Sequence, residues 1–368
     1  MMLADHLLMQ ANGIYDVGGM FASMASVIRK SQRFVMGRDT AEACIELLRS
    51  RPSNLTKALP LCRLPFDKLW IELQSGLVPN GRGPEAPVPV RQGTLVESEG
   101  DQRGQMTVAW VHAPVKEIPE YHCGASPYCL LFDFRPDSDI DSLVRANFDN
   151  ARRITAERHP KLTPIIESIF ERIEMLFSKT SGKDSIQRFM KTREWWQKWA
   201  NDASEVEAVA EHLHHMAVGL STHGINRILE SCLFSFERLN DADLFIKFIK
   251  SWEDDIEGEG PFAQFFITLL NSKNCVTRES VSMAKLNKAR ERRGKKTALL
   301  DYTTIKLTVS PARQRAGAAQ GLSRETMHQH LVRGHFKVRK SGVYWWHPFV
   351  RGDAAKPGPA RREYQVQL

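Results

Sequence analysis

Between residues 65 and 136 the apolar side chains come in short runs of strand length, and from residue 140 the period changes to that of helices. A chain that keeps the two patterns in separate stretches is expected to fold as α+β rather than as alternating βα units. The strand runs are Lys68 to Leu73, Gly93 to Glu97, Met106 to Val111 and Tyr128 to Phe134. Val96 and Met106 flank a polar stretch containing Gly100 and Gly104, which predicts a hairpin. A four-stranded, mainly antiparallel sheet is the simplest assembly. Pro79 to Pro89 carries four prolines and reads as a surface loop.

Helices are expected on either side of this sheet. Residues 1–55 read as helical, with a strong period from Ala41 to Leu48, Asp39 or Thr40 as its cap and Pro52 as its stop. Across 140–272, Ile165, Ile166, Ile169, Phe170, Ile173 and Phe177 form a stripe at helical spacing. Segments 184–199, 204–218 and 225–239 continue the pattern. The expected organisation is therefore an α+β region over 1–139 with an N-terminal helix and antiparallel strands. A helical middle layer follows over 140–272, then a basic C-terminal region over 273–368 that includes a β-hairpin. The longest apolar run, near Phe262 to Leu270, is about half of what a bilayer requires, so no membrane span is expected. Asp5 stands where an export signal needs positive charge. The six scattered cysteines read as reduced thiols in a cytosol, not as a disulfide framework.

Charge is unevenly placed. Residues 1–275 hold 31 Lys and Arg against 37 Asp and Glu, a net of −6, whereas residues 276–368 hold 20 against 6, a net of +14. A basic quarter on a mildly acidic body points to a polyanion, DNA or RNA, as partner. Its first part is a predicted basic helix ending near Gly294, with Lys285, Lys288, Arg290, Arg292, Arg293, Lys295 and Lys296 against the single acid Glu291. Strand signals return at 302–309, 331–338, 343–347 and 363–367, after a small-residue linker from Ala312 to Gly321.

Within 331–348, Val332, Phe336 and Val338 alternate with Arg333, His335, Lys337 and Arg339, a period of two with one apolar and one basic face. Ser341 and Gly342 supply turn chemistry. A connection of two or four residues puts His335, Lys337 and Arg339 on one face with Tyr344 and Trp346; a connection of three reverses that. Cations beside aromatic rings suit a single strand, with phosphates on the charges and bases stacked on the rings at about 1–3 kcal/mol each.

Other constellations carry less. His328, His330, His335 and His347 lie close in sequence and would be the ligands of any metal site, yet no cysteine pair accompanies them and they read more simply as part of a basic patch. No cofactor is implied. Glu211 to His215 sits on a predicted helix in an order that departs from H-E-x-x-H. Asp137, Asp139 and Asp141 open like a calcium loop, but Ser142 and Phe148 stand where glycine and glutamate are required. Asp141 is expected to cap the following helix. His122, Cys123 and Cys129 lack a supporting carboxylate, and buried structural cysteine is the simpler reading. Phosphate-loop, dinucleotide and nucleophile-elbow motifs are absent from the sequence.

The stretches 285–290 (KLNKAR), 292–294 (RRG), 331–337 (LVRGHFK) and 346–352 (WHPFVRG), with the strand beginning at Tyr302, resemble the C-terminal part of functionally uncharacterised bacteriophage and prophage proteins. The resemblance covers about the last quarter of the chain. It implies a phage or bacterial setting and carries no catalytic residue across. Taken with the charge pattern, the expected function is an accessory protein that binds nucleic acid with little sequence readout. Two other readings stand beside it: a metal-dependent nuclease using Asp133, Asp137 or the 328–347 histidines, and a protein-interaction factor. The sequence leans away from an enzyme and leaves the oligomeric state open.

Overall fold

Along Lys68–Gln74, Leu69, Ile71 and Leu73 pack into one apolar cluster, while Trp70 packs into a second and Glu72 is buried with it. A strand buried on both faces needs a layer on each side of its sheet. The computed structural model supplies both. It describes residues 1–14, 16, 19–37, 40, 41, 44, 56, 58–74, 90–114, 120–158, 160, 167, 171, 215–225, 259–272, 276–295, 297–307, 330–332, 335–339, 342–346 and 349–351.

The architecture is α+β around a mixed sheet of nine strands. In chain order these are β1 (Gln32–Met36), β2 (Lys68–Gln74), β3 (Arg91–Ser98), β4 (Arg103–His112), β5 (His122–Ala125), β6 (Tyr128–Asp133), β7 (Met216–Leu220), β8 (Val276–Val281) and β9 (Tyr302–Leu307). Spatially the order is β7-β6-β4-β3-β2-β1-β9-β8, with β5 pairing the other half of β4. β1 runs parallel to both β2 and β9, and the remaining pairs are antiparallel. One face is covered by α1 (Leu3–Gln10) and α2 (Met20–Lys30), packed on Trp70, Leu95, Ala109 and Val111. The other is covered by α3 (Ile140–Arg158) and α4 (Glu259–Asn271), packed on Leu69, Ile71, Val96 and Met106. A fifth helix among the described residues, α5 (Ala284–Arg292), joins β8 to β9.

Local chemistry sets these helices in place. Glu72 is fully buried and accepts from the amides of Leu3 (2.7 Å) and Ala4 (3.3 Å), from Trp70 Nε1 (3.2 Å) and from Arg91 Nε. A carboxylate at a helix N-terminus satisfies free amides and meets the positive end of the dipole, so it pins α1 to the sheet. Asp16 does the same for α2, accepting from the amides of Phe21 and Ala22. Met20, Phe21, Met24, Ala25 and Ile28 then form the buried stripe of that helix.

Several expectations hold in detail. Val96 lies directly opposite Met106, as a hairpin over this segment requires. β2, β3, β4, β6 and β9 fall where strands were expected, and the basic helix ends beside Gly294, whose φ of +72° is the left-handed geometry of a helix stop.

Others are corrected. The sheet has nine strands, not four, and is mixed, although every pairing except the two made by β1 is antiparallel, as expected. The N-terminal region expected to be wholly helical contains β1 as an interior strand; a short, centrally buried strand carries no alternation to distinguish it from a helix segment. The helix expected over 204–218 gives way to β7 from Met216, a five-residue strand at the end of the sheet order. β8 was not foreseen, because it lies at a sheet edge and Thr277 to Ser280 are exposed. Asp139, not Asp141, caps α3, bonding the amide (3.1 Å) and hydroxyl (2.6 Å) of Ser142. Within the stretch expected as a strand at 331–338, the described residues form β10 (His330–Val332) and β11 (His335–Arg339), paired with β13 (Phe349–Arg351) and β12 (Gly342–Trp346), and residues 333 and 334 lie outside the described residues.

Most of the helix expected at 41–48, the loop 79–89, the stripe 165–177, the segments 184–199 and 225–239, and the strand 363–367 lie outside the described residues. The sheet draws strands from all three stretches of the chain set apart by pattern. No helix among the described residues is long and apolar enough to cross a membrane.

Candidate functional site

The basic helix is the plainest candidate. α5 buries none of its residues. Lys285, Lys288, Arg292, Arg293 and Lys295 are exposed, and Arg290 is half-buried, its Nη2 donating to the carbonyl of Thr297 (3.3 Å). Asn287 fixes the helix to the segment that follows, exchanging bonds with the amide (2.7 Å) and carbonyl (2.8 Å) of Leu299. Between helix and segment lies an open groove of about 810 Å³ lined by Lys288, Arg290 and Lys295, with Glu291 on its wall. Lys296 is outside the described residues.

In the C-terminal ribbon the register pairs His335 with Trp346, Lys337 with Tyr344 and Arg339 with Gly342, a two-residue connection. Stepping that ladder three residues outward leads to the Val332–Phe349 pair of β10 and β13, so the two ladders are in phase. They are separated by Arg333 and Gly334 on one strand and by His347 and Pro348 on the other. Proline has no amide to donate to a ladder. His330 and His335 fall in different two-stranded sheets, β10 with β13 and β11 with β12. His328 and His347 lie outside the described residues, and among the described residues no three His, Cys, Asp or Glu side chains are grouped to hold a metal ion.

The carboxylates and thiols considered from sequence are occupied otherwise. Both oxygens of Asp133 are engaged by Arg135, through Nε (2.8 Å) and Nη2. Burial pushes the Asp133 carboxyl up, but the hydrogen bonds and charge of Arg135 outweigh it and hold it below the ordinary carboxylate range. Asp137 is exposed. Cys123 and Cys129 are buried, and burial raises both thiols, the opposite of an activated thiolate. The His122 ring stacks on His112 across β4 and β5, centroids 4.8 Å apart. His215 immediately precedes β7, its Nδ1 2.8 Å from the carbonyl oxygen of Asp133; Glu211 to His214 lie outside the described residues.

A second constellation was not foreseen. Ser23 Oγ on α2 lies 2.8 Å from His223 Nδ1, and His223 Nε2 lies 2.7 Å from Glu97 Oε2. Ser23 is exposed, while the side chains of His223 and Glu97 are 5% and 17% exposed, so the imidazole is the most buried of the three. Gln105 Nε2 donates to the same Glu97 oxygen (3.1 Å). Burial pushes Glu97 up, but the hydrogen bond and charge of His223 and the amide of Gln105 prevail, and its carboxyl lies below the ordinary range. An ionised carboxylate only accepts, so Nε2 is the donor to Glu97, and in the neutral imidazole Nδ1 is the nitrogen left to accept from the Ser23 hydroxyl.

The turn that carries His223 is tightly held. Ser221 donates its amide to the Pro127 carbonyl (3.0 Å), its Oγ accepts from the His223 amide (3.2 Å), and its carbonyl accepts from the amides of Gly224 (2.9 Å) and Ile225 (3.0 Å). A Cβ at Gly224 would stand 2.3 Å from Pro127 Cα, so only glycine lets the turn approach this closely. No sequence signal could have assembled the group, because Ser23 and Glu97 lie 200 and 126 positions from His223. Compared with protein-family models, with curated proteins and with solved structures, the chain matches none.

Proposed function

We propose that this protein binds nucleic acid with little sequence readout, as a phage-type accessory protein at work in a bacterial host. The observation that carries the reading is α5, a nine-residue helix that buries none of its residues and presents Lys285, Lys288 and Arg292 beside an open cationic groove. A helix that contributes nothing to the core has its side chains free for a partner, and cations on such a helix suit phosphates. The resemblance of 285–294 and 331–352 to phage and prophage proteins agrees with that setting. In the same reading the ribbon adds Lys337 and Arg339 for phosphates, and Tyr344 and Trp346 for stacking.

The test is fluorescence anisotropy with single-stranded and duplex oligonucleotides over a salt series. Binding is expected at low salt, with log K falling linearly against log salt. The triple substitution Lys288→Ala, Arg292→Ala, Lys295→Ala should weaken binding to all sequences alike, each lost phosphate contact reducing the duplex slope by about 0.9. Absence of binding at low salt, or an unchanged slope in the triple variant, refutes the reading.

A further inference from the structure

We propose that Ser23, His223 and Glu97 form a nucleophile, base and acid, and that Ser23 is acylated by carboxylic esters, an activity separate from the basic face. The two hydrogen bonds, 2.8 and 2.7 Å, are within the reach that general-base activation of a hydroxyl requires. The order along the line is the productive one. The nucleophile is exposed, the base behind it is almost wholly buried, and the carboxylate beyond it is largely buried and held by Gln105.

Three separate elements converge to build the group: α2 capped by Asp16, the clamped turn after β7, and the end of β3. A purely structural pin between turn and sheet would be complete with His223 and Glu97 alone. Other hydroxyls in and beside helices of this protein behave differently: Ser31, Thr268 and Ser272 each bond the carbonyl four residues earlier. That is the ordinary recourse of a helical hydroxyl. Ser23, in the first turn of α2, meets the imidazole.

The chemistry balances with water as the second substrate. Ser23 Oγ attacks the ester carbonyl carbon while its proton passes to His223 Nδ1, and Glu97 stabilises the imidazolium that forms. The bond from the carbonyl carbon to the alkoxy oxygen breaks, and the departing alcohol takes the proton from Nδ1. Water then attacks the acyl-serine, giving one proton to Nδ1, which returns it to Ser23 as the carboxylic acid leaves. The amides of Phe21 and Ala22 already bond Asp16, so the first turn of α2 offers them to no oxyanion. The expected acceleration is therefore that of general-base catalysis, about 10²–10⁴-fold, and acylation is best read over a single turnover.

The experiment treats the full-length chain with p-nitrophenyl acetate and, separately, with a fluorophosphonate, and locates adducts by peptide mass mapping. One adduct is expected, on Ser23, absent from Ser23→Ala. Its rate should fall at least about 10-fold in Glu97→Gln and about 100-fold in His223→Gln, the low end of the general-base contribution. Thermal melts show whether each variant is folded. Because His223→Gln also loosens the turn, a Ser23→Cys chain provides an independent reading. Its thiol should be alkylated by iodoacetamide, and adding Glu97→Gln should slow that step at least about 10-fold, since thiolate formation depends on the same base. An unmodified Ser23 in the wild-type chain overturns the proposal. So does a rate of modification unchanged by Glu97→Gln in the folded protein.

Discussion

Glu97 shows how one carboxylate can serve both stability and chemistry. Its folded-state proton affinity is depressed below the ordinary value of 4.5, because His223 and Gln105 outweigh burial. A depressed carboxylate contributes stability above its unfolded value, and that contribution disappears as the pH falls through the lower folded value. Glu97→Gln should therefore cost about 1.5–3 kcal/mol near neutrality, the worth of hydrogen bonds to a charged group. Urea denaturation of both chains across a pH series should show this difference shrinking below pH 4.5. A gap that stays constant or widens on acidification contradicts the arrangement. Glu72 is the contrasting carboxylate, buried more deeply and bonded to two helix amides, an indole and a guanidinium, with no nucleophile at its end.

Among the elements, the central strands depend on glycines placed beside indole rings. A Cβ on Gly93 would lie 2.3 Å from Trp70 Cζ2, and one on Gly124 would lie 2.3 Å from Trp110 Nε1. Trp110 is directly opposite Gly124, while Trp70 reaches Gly93 diagonally from its own partner Leu95. Each ring fills the space of a missing side chain, the cross-strand contact that an edge or interior glycine permits. Trp70 is 1% exposed and cannot swing away. Gly93→Ala should lower stability by about 1–3 kcal/mol through overpacking. In a Trp70→Phe background the same change should cost less than half as much, a coupling that a double-mutant cycle of thermal melts would read.

For the whole molecule, the start of the basic quarter, β8, α5 and β9, is built into the fold and is not merely an appendage. β9 lies between β1 and the edge strand β8, and Ile305 is fully buried in the main core. A chain ended at residue 275 would leave β1 with an open edge and Phe34 and Met36 without that cover, a ready site for association. Such a chain should be insoluble or lack a cooperative melt. A soluble fragment with the full-length midpoint would show that β8 and β9 are dispensable.

Much of the antiparallel half was legible in the sequence, because a hairpin is a local object. Val96 and Met106 are close along the chain, and strand length, polar turn and register are set by neighbouring residues. The helix at 284–292 was legible for the same reason, its cations and Gly294 being consecutive. β1 and β7 were hidden, because a short strand is declared by its partners and those lie far away in sequence, and β8 because it is an exposed edge strand. The Ser23–His223–Glu97 group is the extreme case. Hydrophobic pattern and charge, both local, determined that this chain makes an α+β core with a cationic end. Only the tertiary structure, by crossing α2 over the sheet and folding the turn after β7 beneath it, decided which distant polar groups would share a hydrogen bond.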